Sequence, residues 1–132
     1  MMNHLCDTNI ISELVRQQPN SGVIQWFNQI DILFISVVTV EELYFGLTRQ
    51  PKPKIQAVLE MILHQHSKIL PITPEIAQCA GQWRGKFERI GQIRTQADLF
   101  IAATAHIHQL TVVTRNIRDF SDCDVPLLNP FS

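Results

Sequence analysis

The 132-residue sequence has few cysteines, no long apolar run and no surplus of positive charge. Its three cysteines, Cys6, Cys79 and Cys123, are odd in number and far apart. They form no disulfide framework and match no zinc spacing, which fits a reducing, cytoplasmic setting. No run approaches 18 apolar residues, so no membrane span is expected. The chain does not open with a basic stretch followed by an apolar one, as a secretory signal would. Eleven Lys and Arg stand against twelve Asp and Glu, a formal net charge of −1. That excludes a globally basic nucleic-acid binder but leaves room for a local basic patch. Neither a G-x-S-x-G nucleophile elbow nor a G-x-x-x-x-G-K-[ST] phosphate loop is present.

What is present is an ordinary globular composition, 45% hydrophobic and 17% charged, in a length that suits a single domain over 1–132. Short apolar runs alternate with longer amphipathic stretches. Strands are expected over 2–6, 32–38, 68–72 and 111–114, with a weak fifth near 125–129. Helices are expected near 9–17, 21–29, from Thr39 to about Arg49, 53–67, 74–90 and 97–109. Asp7 or Thr8 is available as the first N-cap, Thr39 as the cap of the third helix, and Pro74 as a first helical residue. Strands separated by helices indicate an α/β fold with a mainly parallel sheet. In such sheets ligands bind beyond the carboxyl ends of the strands.

Acidic residues gather at those ends. Asp7 follows the first strand, and Glu41 and Glu42 follow the second. Asp98 opens a helix that is apolar nearly all round, where an isolated carboxylate costs several kcal/mol unless paired, protonated or metal-bound. The plainer reading of Asp98 is a helix cap, and that of either glutamate is first-turn stabilisation. The wheel does not decide which of Glu41 and Glu42 faces inward. After the fourth strand, VTRNIRDF brings Thr114, Asn116 and Asp119, with Arg115 and Arg118 between them. Oxygen ligands of this kind suit Mg²⁺, and two such ions can hydrolyse a phosphodiester without a Ser, Cys or His nucleophile.

The segments DTNIISEL, ISVVTVEELYFGL, ADLFIAATAHIHQLTVVTRNIRDF and LLNPF strongly resemble the PIN domain, and within it the VapC-type toxins of bacterial toxin–antitoxin modules. The resemblance runs from residue 3 to residue 131 and preserves motif order. It implies a three-layer α/β/α sandwich around a mainly parallel sheet of four to five strands. It also implies a Mg²⁺- or Mn²⁺-dependent endoribonuclease acting on RNA, often tRNA or rRNA, commonly dimeric and silenced by a cognate VapB-type antitoxin. The family's first three acids fall on Asp7, Glu42 and Asp98, which makes Glu41 the exposed neighbour. At the fourth position this chain departs from the pattern. Asn116 stands where Asp is frequent, and Asp119, about a turn further on, is placed to substitute. Thr8, Asn9 and Thr114 resemble the pocket-lining residues.

Two other readings compete with a nuclease. One is a binding-only module, motivated by Asn116. The other is a phosphotransfer domain, for which the Asp-Thr-Asn sequence and the positions of Lys68 and Lys86 are unsuited. The run from Trp83 to Arg94 leads into Asp98, which makes Arg84, Lys86, Arg89 and Arg94, together with Arg115, candidate RNA contacts. The alternative for the run is a solvated helix face. The pairs His64/His66 and His106/His108, spaced by two, cannot chelate from one helix face.

Overall fold

A computed structural model describes residues 3–132; the expected first strand begins on Met2, which lies outside them. Five strands form one sheet: β1 (His4–Cys6), β2 (Leu33–Ser36), β3 (Ser67–Leu70), β4 (Thr111–Val113) and β5 (Leu127–Leu128). All pairings are parallel, in the order β3-β2-β1-β4-β5. β1 is therefore central, and Leu5 pairs with Phe34 on one side and Val112 on the other.

Alternate strand residues face opposite layers, as the two-residue period requires. Leu5 and Val112 enter one core with α5 (Pro74–Arg89) and α6 (Gln96–His108). Cys6 and Val113 enter the other with α1 (Thr8–Leu14), α2 (Ser21–Phe27), α3 (Val37–Arg49) and α4 (Pro53–Gln65). The result is the helix–sheet–helix sandwich expected. Ala102, Ala103 and Ala105 are fully buried and give α6 a flat face for close packing. Burying roughly 25 cal/mol per Å² of apolar surface on both faces of the sheet is the main force holding the layers together.

The element boundaries sharpen the sequence reading. The second strand stops at Ser36, and the apolar pair Val37-Val38 already belongs to α3. Ser36, not Thr39, is the N-cap: its hydroxyl accepts the Val38 N–H at 3.1 Å. The β-branched valines extend the apolar run without extending the strand. Thr39 is instead fully buried. The third strand also ends early, because Pro71 has no N–H to give a ladder. A single 3₁₀ turn, Ile117–Phe120, follows β4. Among the described residues no helix is long and apolar enough to cross a membrane.

Candidate active site

Asp7 ends the central strand and begins α1, so one residue terminates β1 and caps a helix. It is 6% exposed. Its carboxylate accepts three hydrogen bonds: from Thr8 N–H at 2.8 Å, Asn9 Nδ2 at 3.0 Å and Thr114 Oγ1 at 2.8 Å. Thr114, fully buried at the end of β4, also accepts the Asn116 N–H at 2.9 Å. Asn9 Oδ1 accepts the Arg115 N–H at 3.1 Å. Asn9 and Thr114 thus tie the turn after β4 to the turn after β1.

Glu42 arrives from α3, and its Oε1 accepts the Thr8 hydroxyl at 2.6 Å. Thr39 Oγ1 lies 3.1 Å from that same hydroxyl. Glu42 is half-buried while Glu41 is exposed, which answers the question the helical wheel left open. Asp98 lies in the first turn of α6, and Thr95 rather than Asp98 is the cap, accepting the Asp98 N–H at 3.1 Å. Asp119 comes from the 3₁₀ turn, anchored through its N–H to the Asn116 carbonyl at 3.0 Å.

These four carboxylates, with Thr8, Asn9 and Asn116, line one open cavity of about 400 Å³ at the carboxyl edge of the sheet. Their proton affinities reflect the gathering. Burial raises the Asp7 carboxyl, hydrogen bonds from Thr114 and Thr8 draw it back, and the charges of Glu42 and Asp119 raise it again. Asp98 is pushed up to about 6, first by burial, against a hydrogen bond with Thr95, and then by the charges of Asp7, Asp119 and Glu42. Like charges held in a half-desolvated pocket favour a bound cation or a shared proton. The donors are all oxygens, which fits a hard divalent ion. Among the described residues no three Asp, Glu, His or Cys groups are drawn together as a closed cluster. Oxygen donors that line an open cavity without closing into a cage fit an ion that keeps several of its waters.

The remaining predicted residues divide. Arg115 lines the cavity. Arg84, Lys86, Arg89 and Arg94 do not. Arg84 pairs with Glu88 at 3.5 Å along α5, and Lys86 and Arg89 are exposed on that helix. Arg94 lies over the Phe87 ring at 4.3 Å and donates to the carbonyls of Asp119 at 3.2 Å and Ser121 at 2.9 Å. It braces the backbone of the turn that carries Asp119.

Sequence reasoning passed over Ser12, Glu13, Arg16 and Phe131, which also line the cavity. Ser12 follows Thr8 by four residues on α1, so the helical period carried a signal. Glu13 is buried and accepts from Arg16 Nη1 at 3.1 Å and from the Asn20 N–H at 2.8 Å. Burial pushes the Glu13 carboxyl up, but these bonds and the charges of Arg16 and Arg115 outweigh it and hold it below its ordinary value. Phe131 ends the LLNPF segment, but nothing in the sequence places it at the cavity, which it reaches through tertiary docking.

The comparisons with known proteins agree with the motifs. Toxin FitB of Neisseria gonorrhoeae is 36% identical over 96% of this chain and 97% of its own length. The crystal structure of FitAcB from that species superposes with a TM-score of 0.81 at 36% identity, covering 96% and 97% of the two chains. The VapC ribonuclease Y4jK of Sinorhizobium fredii is 30% identical over 95% of each chain. A toxin–antitoxin complex from Klebsiella pneumoniae matches with a TM-score of 0.77 at 25% identity, covering 98% and 99%. The PIN domain family pattern spans residues 5–125, and this chain belongs to the PIN domain family.

Proposed function

We propose that this protein is a metal-dependent endoribonuclease and the toxin of a toxin–antitoxin pair. The observation that carries the reading is the meeting of Asp7, Glu42, Asp98 and Asp119, from four separate elements, around one cavity. The similarity to proteins named toxin and ribonuclease supports it. Mg²⁺ or Mn²⁺ is the ion the oxygen donors suit. When bound, it supplies Lewis-acid stabilisation of phosphodiester charge and lowers the pKa of water.

Asp7 and Asp98 would hold the ion, with Asp119 or the Asn116 carbonyl completing the set. The three donors on Asp7 fix the plane of its carboxylate before any ligand arrives, which removes a reorganisation cost. Thr8 occupies Oε1 of Glu42. Glu42 Oε2, to which no donor is directed among the described residues, is the atom that binds the ion or orients the attacking water. Water oxygen bonds to phosphorus, the P–O3′ bond breaks, and the departing oxygen takes a proton. The products are a 5′-phosphate and a 3′-hydroxyl. The RNA is of the tRNA or rRNA class. The partner is a VapB-type antitoxin, the active assembly is a homodimer, and the setting is the cytoplasm.

Asn116 favours a second reading, a module that binds RNA without cutting it. One experiment separates the two. Purified protein with Mn²⁺ cleaves RNA, EDTA stops it, and Asp98→Asn lowers the rate at least about 100-fold while the melting temperature is retained. Cleavage unaffected by Asp98→Asn overturns the proposed site. RNA binding without cleavage, by folded and metal-loaded protein, establishes the binding module.

A further inference from the structure

The cavity is lined by groups of both charges. Beside Asp7, Glu42, Asp98 and Asp119 it carries the Glu13–Arg16 pair, Arg115 and Phe131. Its two cations are not equivalent. Arg16 is occupied by Glu13 at 3.1 Å. The Arg115 guanidinium makes no hydrogen bond or ion pair among the described residues; only its backbone N–H is engaged, by Asn9. The guanidinium lies over the Phe131 ring, 4.7 Å from its centroid. An arginine held over an aromatic ring loses less rotamer freedom on meeting a ligand, and its N–H groups match phosphate oxygens in pairs.

Phe131 is itself held by the segment 129–132, strapped to the start of α2. Asn20 Oδ1 accepts the Ser132 N–H at 3.1 Å, and Asn20 Nδ2 donates to Ser132 O at 3.3 Å. The Gly22 N–H donates to Ser132 Oγ at 3.2 Å. The fit has no slack there: a Cβ on Gly22 would collide with the Pro130 carbonyl. Asn20 is in turn bound to Glu13, whose carboxyl feels the charges of both Arg16 and Arg115. The strap, the ring and the arginine form one continuous set of contacts ending in an unpaired cation beside the carboxylates.

We infer that Arg115, held over the ring of Phe131, is a subsite for the RNA phosphate next to the scissile bond, and that Phe131 is its positioning residue. This rests on the ribonuclease reading for its substrate and deepens it. The four carboxylates serve the ion and the reacting phosphate. Arg115 takes the neighbouring, unreacting phosphate and sets the register of the strand across the cavity.

The test measures binding, so that it stands apart from cleavage. A fluorescein-labelled single-stranded RNA oligonucleotide is titrated by anisotropy at several salt concentrations into Asp98→Asn protein. The same protein carrying Arg115→Gln, Phe131→Ala or Phe131→Trp is titrated alongside. Arg115→Gln is expected to weaken binding about tenfold at 0.1 M salt and to reduce the slope of log affinity against log salt by about 0.7, one single-strand phosphate. Phe131→Ala should reproduce part of both effects and add nothing to Arg115→Gln in the double variant, while Phe131→Trp restores binding. If Phe131→Ala melts early, Phe131→Leu keeps the bulk without the π face and should behave in the same way. An unchanged salt slope for Arg115→Gln, additive losses, or no RNA binding at all overturns the subsite. If the native protein binds with these slopes yet fails to cut, the ribonuclease reading falls and with it the scissile-bond register, and Arg115 is left as an RNA phosphate contact alone.

Discussion

At the scale of single residues, Asp98 couples folding to pH. Its carboxyl is raised from its ordinary value to about 6, chiefly by burial. Below about pH 4 it is protonated in folded and unfolded chains alike, and its contribution is fully present. As pH rises through 6 the folded protein must release a proton that it holds more tightly than the unfolded chain does, so stability falls. In EDTA, the wild type should lose on the order of 1 kcal/mol relative to Asp98→Asn between pH 4 and pH 7, after allowance for solvent screening of a half-buried group. Urea unfolding of both proteins at the two pH values measures it. An equal change in the two proteins contradicts the assignment.

Residues also show which parts of the site were legible in the sequence. Asp7, Glu42, Asp98 and Asp119 were named from strand ends and motif order, and all four line one cavity. Arg84, Lys86, Arg89 and Arg94 are suggested by nearness in sequence to Asp98, but none of them lines the cavity, and Arg94 turns to backbone carbonyls. Proximity along a chain is not proximity in space once a helix intervenes. The place of Phe131 was hidden for the converse reason: what brings it to the cavity is the Ser132 strap, more than a hundred residues from Asn20 in sequence.

At the scale of elements, type was readable and termini were not. Helix ends depend on which polar side chain captures the first free N–H groups, a choice between Ser36 and Thr39 that periodicity does not make. The C-terminal end of α6 offers a test. Gln109 there has φ 58° and ψ 50°, in the left-handed region that costs a residue with a side chain roughly 1 kcal/mol. Its N–H is directed to the carbonyls of Ala105 and His106, a cap glycine makes more easily. Gln109→Gly should raise unfolding stability by about 0.5–1 kcal/mol. Chemical denaturation checks it, and since Gln109 is absent from the cavity lining, the RNA cleavage rate should not change.

At the scale of the whole molecule, the sheet places the site at the edge where β1 and β4 lie side by side, and no layer can be removed without losing a carboxylate. Glu42 belongs to the helices on one face of the sheet and Asp98 to those on the other. Local opening of either layer separates them. Cleavage measured across a urea series should therefore be lost at the same midpoint as the far-ultraviolet signal. Loss at clearly lower urea would show that the site melts before the fold.

The register of β1 against β4 has a consequence for synthesis. The central strand is made first, but the neighbour whose Thr114 secures Asp7, and the turn that brings Asp119, come more than a hundred residues later. During translation the chain carries its first acidic group long before it has the last. The cavity that joins these acids is therefore assembled only after residue 119 has been made, and no earlier stretch of the chain holds it complete.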